Sequence, residues 1–310
     1  VEQEHKTGFY TNERPLDLMI GGRFILQAQL ARTAMSHVFR AYDCHTGTVC
    51  VVKSLAPTAR GLPPNDALLA FLREAATLAQ LDGPFPRLVT LNRDHIGFYM
   101  VQTYIEGQTL DAILEAKPLT EARALTIAAS LIQALSFVHQ ANLVYGDLHP
   151  GNVMVQADGS VILLDMGLAR PCNSDPPELR GIGTPGYAAP EQYAGLPLDQ
   201  SSDLYALSLV LTDLFAHLNV PEVVHVVLAQ AQEPLQARRR VGLADIRRVV
   251  DIAQRNRRRR AQPVPTLPAV DLRTARRQRA QQARIIGLCI ITMLAILVLA
   301  GLALGGVLAY

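Results

Sequence analysis

Three side chains in one short stretch could hold a cation and move a proton. The segment Tyr145-Gly146-Asp147-Leu148-His149-Pro150-Gly151-Asn152 runs on through residues 153–164 to Asp165-Met166-Gly167. Asp158-Gly159 lies between two β-branched runs, which is the signal for a two-residue type I′ hairpin. A turn centred there sets Asn152 opposite Asp165 at the open end of the ribbon. An amide oxygen beside a carboxylate suits a hard, oxygen-preferring cation such as Mg²⁺. Asp147, in a loop stiffened by Pro150, adds a carboxylate able to take a proton from an incoming hydroxyl. An ordinary surface hairpin with polar ends is the plain alternative, and the rest of the chain decides between the two.

These groups need a frame. Residues 23–30, 38–42 and 48–53 read as strands. Lys53 ends the apolar run Val49-Cys50-Val51-Val52-Lys53, in a chain with only three Lys against 26 Arg. A lone Lys at a strand end often does no more than snorkel to water. Residues 66–81, however, have helical periodicity, with Phe71, Leu78 and Leu81 on one stripe and Glu74 on the same stripe. An inward carboxylate is costly unless it is paired, and Lys53 is its natural partner. Helices are expected at 110–116 and 121–140 before the hairpin, at 202–218 after it, and as two short pieces within 221–252. Between the hairpin and the helix at 202–218 lies Gly183-Thr184-Pro185-Gly186-Tyr187-Ala188-Ala189-Pro190-Glu191, rich in turn formers.

A chain of 310 residues can bury one large or two modest cores. The net charge of +2 hides an asymmetry: residues 255–284 hold ten Arg against one Asp, leaving the preceding part net negative. Prolines 263, 265 and 268 make that basic stretch read as a flexible linker. Residues 285–310 carry no charge at all. As a helix they would reach roughly 39 Å, enough to cross a hydrocarbon core about 30 Å thick. The Arg cluster flanks only their N-terminal side, so the positive-inside rule places residues 1–284 in the cytoplasm. The expectation is a single-pass, tail-anchored protein of the cell membrane with its C-terminus at the outer side. Beside such a span the linker suits anionic membrane lipids rather than nucleic acid. Gly301 and Gly305 have the spacing of a helix-packing motif and suggest a dimer through the span. Cys44, Cys50, Cys172 and Cys289 show neither C-x-x-C spacing nor clustering with His, and are given no metal or disulfide role.

In this order and at these spacings the motifs resemble the protein-kinase signature set, specifically the eukaryotic-type Ser/Thr kinases of bacteria. The resemblance covers about residues 20–252. It implies a bilobal α+β fold, with a small β-rich lobe (23–103) and a larger helical lobe (104–254). Residues 1–22 would be an N-terminal extension, 255–284 a juxtamembrane linker and 285–310 a transmembrane helix. It implies Lys53 on the α/β-phosphates of ATP, Glu74 fixing Lys53, Asp147 as catalytic base, and Asn152 and Asp165 as ligands of Mg²⁺ or Mn²⁺. Residues 100–107 resemble the hinge that carries adenine, with Gln102 as gatekeeper and the main chain of Thr103 and Ile105 facing the base. Leu30, Val38 and Val51 would line the same nucleotide pocket. Ala189-Pro190-Glu191 matches the end of the activation segment, Thr184 the threonine that contacts the catalytic loop, and Asp203 the acid that braces that loop. Arg238, one residue off the family spacing, is the expected partner of Glu191.

There are departures. Ala31, Thr33 and Ser36 fill the three glycine positions of the phosphate loop, where glycine would let N–H groups approach the phosphates. Val51 replaces a small Ala. Tyr145-Gly146-Asp147 stands for His-Arg-Asp, so the Arg that answers an activation-segment phosphate is absent. His149 replaces the Lys that supports the γ-phosphate, in a loop also similar to that of aminoglycoside phosphotransferases, and becomes a candidate to steady the transferring group. After Phe215 the chain reaches Val220-Pro221-Glu222 almost at once, so the helix that commonly docks protein substrates is expected to be short or missing. Ser174 and Thr184 are candidate autophosphorylation sites. The expected function is ATP-dependent phosphorylation of protein Ser/Thr hydroxyls at a membrane. A pseudokinase scaffold would fit the filled glycine positions, and a small-molecule phosphotransferase would fit the His-Pro-Gly loop. The retained Lys53, Glu74, Asp147, Asn152 and Asp165 weigh against the first, and the complete block 183–191 against the second.

Overall fold

The computed structural model describes residues 18–33, 35–56, 63–116, 119–174, 176 and 179–261. Most of the expected linker and the whole of the expected span lie outside the described residues. The N-terminal lobe is an antiparallel sheet of six strands: β1 (Leu18–Ile20), β2 (Phe24–Arg32), β3 (Ser36–Asp43), β4 (Thr48–Leu55), β5 (Leu88–Asp94) and β6 (Gly97–Thr103). Their order is β1-β2-β3-β4-β6-β5. Strand periodicity sorts the side chains. Cys50 and Val52 join Ile20, Phe24, Leu26, Ala41, Tyr99 and Val101 in one small core. Val51 and Lys53 take the opposite face. Val38 pairs across from Lys53, and Gln102 from Val51, so these four residues share that face. Register shifts between Leu26 and Ala28 and between Gln29 and Ala31 mark bulges that curl β2.

Helix α1 (Pro64–Gln80) starts with Pro in its first turn and buries Ala67, Ala70, Phe71, Glu74, Ala75 and Leu78 along one stripe, as the spacing requires. The C-terminal lobe is built on α3 (Glu121–Gln140) and α5 (Gln200–Phe215). Thr120 caps the first by accepting from the Arg123 amide, and Asp199 caps the second by accepting from that of Ser201. Around them lie α2 (Leu110–Ala116), α4 (Pro190–Tyr193), α6 (Glu222–Ala231) and α7 (Leu243–Ala261). Strands β7 (Gln108–Thr109), β9 (Val153–Val155) and β10 (Val161–Leu163) form a small sheet, and β8 (Leu143–Val144) pairs with β11 (Arg170–Pro171). Among the described residues α3 alone is long and apolar enough to cross a membrane, and half of it is buried as the core helix of this lobe.

Two expectations are corrected. The hairpin pairs Val155 with Val161, Met154 with Ile162 and Val153 with Leu163, one residue out of the expected register. Gln156 N–H donates to Ser160 O across a three-residue loop, and only Gly159 (φ +87°) adopts positive φ there. Asp158 instead accepts from the Ser160 amide, so the turn is not the I′ type that needs positive φ at both positions. Asn152 O consequently accepts from Leu164 N, and Asp165 lies one residue beyond the pair. The Arg-rich stretch also begins as helix rather than linker, because α7 continues through residues 255–261. Arg is a good helix former, and its solvated charges do not oppose an exposed helical turn.

Arg23 and Asp43 clamp the start of β2 to the end of β3 through two bonds of 2.7 Å. The Arg23 bonds, opposed by burial and aided by Thr46 and the His45 amide, hold Asp43 well below the usual carboxylate range. A depressed folded-state pKa gives stability that is present above the unfolded value near 3.9 and lost as pH falls below it. Asp43→Asn is therefore expected to lower the melting temperature at neutral pH and to flatten its decline between about pH 5 and pH 3, read by calorimetry.

Candidate functional site

Lys53 lies near the end of β4 on the face away from the small core, and the helical stripe of α1 turns Glu74 toward it. Lys53 Nζ lies 2.7 and 2.8 Å from the Glu74 oxygens and 3.0 Å from Asp165 Oδ2. Glu74 is 3% exposed and Lys53 7%, so neither charge is solvated and each depends on the other. Burial pulls Lys53 down, but the charges of Asp165 and Glu74 outweigh it and raise its pKa. Burial pushes Glu74 up to about 7 against the pull of Lys53. For Asp165 the balance falls the other way. Burial is outweighed by Lys53 and by the Gly167 amide, 2.7 Å from Oδ1, so Asp165 is held below its ordinary value.

The loop 145–152 is fixed from below. Asp203, buried on α5, accepts from the amides of Tyr145 (2.8 Å) and Gly146 (2.9 Å) and sits 2.9 Å from His139 Nε2. Gly146 has φ +77°, and a Cβ there would lie 2.8 Å from Leu168 O, so this position demands glycine. Asp147 then projects with both oxygens engaged: Oδ1 accepts from Thr184 Oγ1 at 2.7 Å and Oδ2 from Asn152 Nδ2 at 3.1 Å. Burial raises its pKa, with His149 and the two hydrogen bonds opposing. Asn152 Nδ2 also donates to Asp147 O at 3.0 Å, which directs the amide oxygen away from Asp147. His149 Nδ1 accepts from the Gly151 amide at 3.2 Å, which puts the proton of a neutral ring on Nε2, 3.9 Å from Asp147 Oδ2.

The segment after Asp165 closes the site. Arg170 donates to Leu168 O and Leu179 O, and Gln192 Nε2 donates to Gly146 O at 2.8 Å. Glu191 is buried, with Arg239 bonded to both oxygens at 2.6 Å and Ser202 Oγ to one of them at 2.6 Å. A carboxylate in a buried cluster under a lysine-bearing sheet, a second on a braced loop, and an Arg-anchored segment between them match a known pattern. The family model described as protein kinase domain matches residues 24–242. The chain belongs to the protein kinase family.

Its kinase domain is 33% identical over 205 residues to a probable serine/threonine-protein kinase of Streptomyces coelicolor, a match covering 63% of this chain and 30% of that protein. It is 32% identical over 210 residues to serine/threonine-protein kinase PknA of a Nostoc species, covering 63% of this chain and 37% of the other. The chain thus spans about a third of the length of the curated relatives it matches. The crystal structure of the Mycobacterium tuberculosis PknI kinase domain shares the fold, with TM-score 0.59, 23% identity, and coverage of 78% of this chain and 98% of that one.

The structure brings Lys53, Glu74 and Asp165 into contact, and Asp147, Asn152, His149 and Thr184 into a second connected group. Leu30 falls at a bulge of β2, with Val38, Val51 and Gln102 on the Lys53 face of the sheet. Thr103 and Ile105 follow at the end of β6, where the Thr103 amide donates to Arg87 O. Arg238 is a correction: it ends a 3-10 turn (Gln236–Arg238) and is exposed, and that turn carries the next residue, Arg239, inward to Glu191. Gln192 was not anticipated, and its only sequence signal is its place directly after Ala189-Pro190-Glu191. Between α5 and Arg239 there is a single α-helix, α6, in line with the short stretch expected there.

Removing one partner of the buried pair leaves a charge with nothing to balance it. Arg239→Ala is expected to cost about 3–5 kcal/mol of stability by urea denaturation, whereas Arg238→Ala should stay within about 0.5 kcal/mol of wild type.

Proposed function

We propose that the chain is an ATP-dependent protein kinase that transfers the γ-phosphoryl group to Ser or Thr hydroxyls and is held at the cell membrane by residues 285–310. The observation that carries this reading is the placement of one buried ammonium, Lys53, between Glu74 of the N-terminal lobe and Asp165 of the C-terminal lobe. Phosphoryl transfer needs little covalent help and depends on positioning and charge neutralisation, which this arrangement offers.

The donor set suits a hard cation: the ionised Asp165 carboxylate and the Asn152 amide oxygen are all-oxygen ligands of the kind Mg²⁺ or Mn²⁺ takes. Bound there, the cation would neutralise charge on the phosphates. Lys53, fixed by Glu74, reaches the α/β-phosphates. Val38, Val51 and Leu30 offer apolar surface to the base beside Gln102. Because the Thr103 N–H is engaged by Arg87 O, Thr103 serves adenine through its carbonyl, and the donor must come from the Ile105 main chain. Asp147, its proton affinity raised by burial, orients the substrate hydroxyl and accepts its proton. The hydroxyl oxygen bonds to the γ-phosphorus as the bond to the bridging β–γ oxygen breaks and ADP leaves. His149 Nε2–H, directed to the neighbourhood of Asp147, steadies the transferring group where the family places a Lys. The turn-rich block 183–191, tied to Asp147 through Thr184, supports a peptide rather than a small-molecule acceptor. Outside the described residues, the Arg-rich stretch as far as residue 284 is assigned to anionic lipids and the span to the membrane, with the kinase domain on the cytoplasmic side.

With labelled ATP and Mg²⁺, the full chain should label itself or a generic Ser/Thr protein substrate. Asp147→Asn should lower that rate by about 10²–10⁴-fold while leaving nucleotide binding in place. Full turnover in this variant would refute the assignment. Deleting residues 285–310 should move the protein from the membrane pellet to the supernatant, and retention in a carbonate-washed pellet would refute the anchor.

A further inference from the structure

The turn between β2 and β3 satisfies its own main chain, using groups that a glycine loop would offer to phosphate. Thr33 Oγ1 accepts from the amides of Met35 at 3.2 Å and Ser36 at 2.9 Å. The same hydroxyl lies 3.0 Å from Ser36 Oγ and 3.3 Å from Ser36 O, either of which can take its proton. Thr33 N–H donates to Ser36 O at 2.8 Å and closes the turn. A hydroxyl has the acceptor capacity for two N–H groups, and a Thr at this place in a turn competes for the donors a phosphate oxygen would otherwise receive.

A second, independent observation concerns the tip of the turn. Met35 O accepts from Ala56 N at 2.9 Å. The Met35 side chain packs against a cluster of Ala70 from α1 with Leu168 and Leu179 from the segment after Asp165, joined by Ile182. The turn is therefore held in place by contacts that do not involve Thr33, so removing the Thr33 hydroxyl frees the two amides without dismantling the turn.

We propose that Thr33 determines how this kinase domain recognises nucleotide phosphates: its hydroxyl occupies the amides of Met35 and Ser36, so the phosphates are held by Lys53 and the Asn152–Asp165 cation and not by the loop. This rests on the nucleotide-binding reading above. It assigns the loss of glycine at position 33 a defined chemical effect, the substitution of an internal acceptor for an external one.

The test is isothermal titration of the full chain and its variants with MgATP and, separately, with adenosine. Thr33→Val removes the acceptor but keeps a β-branched side chain, Thr33→Gly restores the family residue, and Thr33→Ser keeps an oxygen at the same place. Thr33→Val and Thr33→Gly are expected to bind MgATP about three- to tenfold more tightly, the scale of one or two recovered hydrogen bonds. Adenosine affinity should not change, and Thr33→Ser should stay with wild type. A wild type that binds MgATP, with neither variant changing the MgATP-to-adenosine ratio, overturns the role of Thr33 and leaves the kinase reading standing. A wild type and variants that bind neither ligand overturn the nucleotide reading and this inference with it. Binding of MgATP that appears only in the Val and Gly variants overturns the assignment of the phosphates to Lys53 and the cation in the wild type.

Discussion

The buried ammonium of Lys53 is the constraint on which the cleft depends. It cannot lie out of water without anions, and the anions it finds come from two other parts of the chain, α1 and the loop after β10. The bond to Glu74 fixes the rotation of α1 against the sheet, since the helical stripe that buries Phe71 and Leu78 also carries the carboxylate. The bond to Asp165 sets the loop after β10 against the sheet. Two carboxylates on one ammonium leave a negative excess: burial raises the Glu74 pKa against the pull of Lys53, while Lys53 and the Gly167 amide hold that of Asp165 down. The arrangement has an electrostatic reason to accept another cation on the Asp165 side.

A parallel scaffold holds the catalytic loop. Asp203 receives the amides of Tyr145 and Gly146, and Gln192 donates to the carbonyl of Gly146, so the loop is gripped through its main chain on both sides. Gln192 adjoins Glu191, which Arg239 and Ser202 anchor. The loop, the end of the activation segment and α5 are thereby joined by hydrogen bonds that owe little to the loop's own side chains. The loop is thereby held with Tyr145 and Gly146 in the places where the resemblance puts His and Arg. Arg170, bonded to Leu168 O and Leu179 O, ties the segment after Asp165 through its main chain.

Much of this was legible in the sequence where periodicity and pairing cost work together. Glu74 on an apolar helical stripe required a cation, and Lys53 was the one at a buried strand end. The helices at 110–116 and 121–140 follow their apolar spacing to the residue. What was not legible depended on single-residue geometry. Asp158-Gly159 signals a turn but not its length, and a loop with positive φ at Gly159 alone shifts the register by one. A 3-10 turn moves the inward position from Arg238 to Arg239. Composition marked residues 255–261 as solvated, and solvation does not distinguish a linker from the exposed end of α7. The filled glycine positions were visible as missing freedom. That the Thr33 hydroxyl would take the vacated role of acceptor needed the folded turn to be seen.

Asp147 shows a further consequence of these attachments. Its oxygens accept from Thr184, which belongs to the segment 183–191, and from Asn152, which ends the same loop. Both donors favour the ionised carboxylate, so whatever draws Thr184 or Asn152 away increases its affinity for a proton. Linkage is reciprocal: a proton arriving at Asp147 must loosen its hold on the segment and on Asn152 by the same free energy. The Asp147 carboxylate therefore carries, in its own proton affinity, a thermodynamic record of whether the surrounding segment is docked.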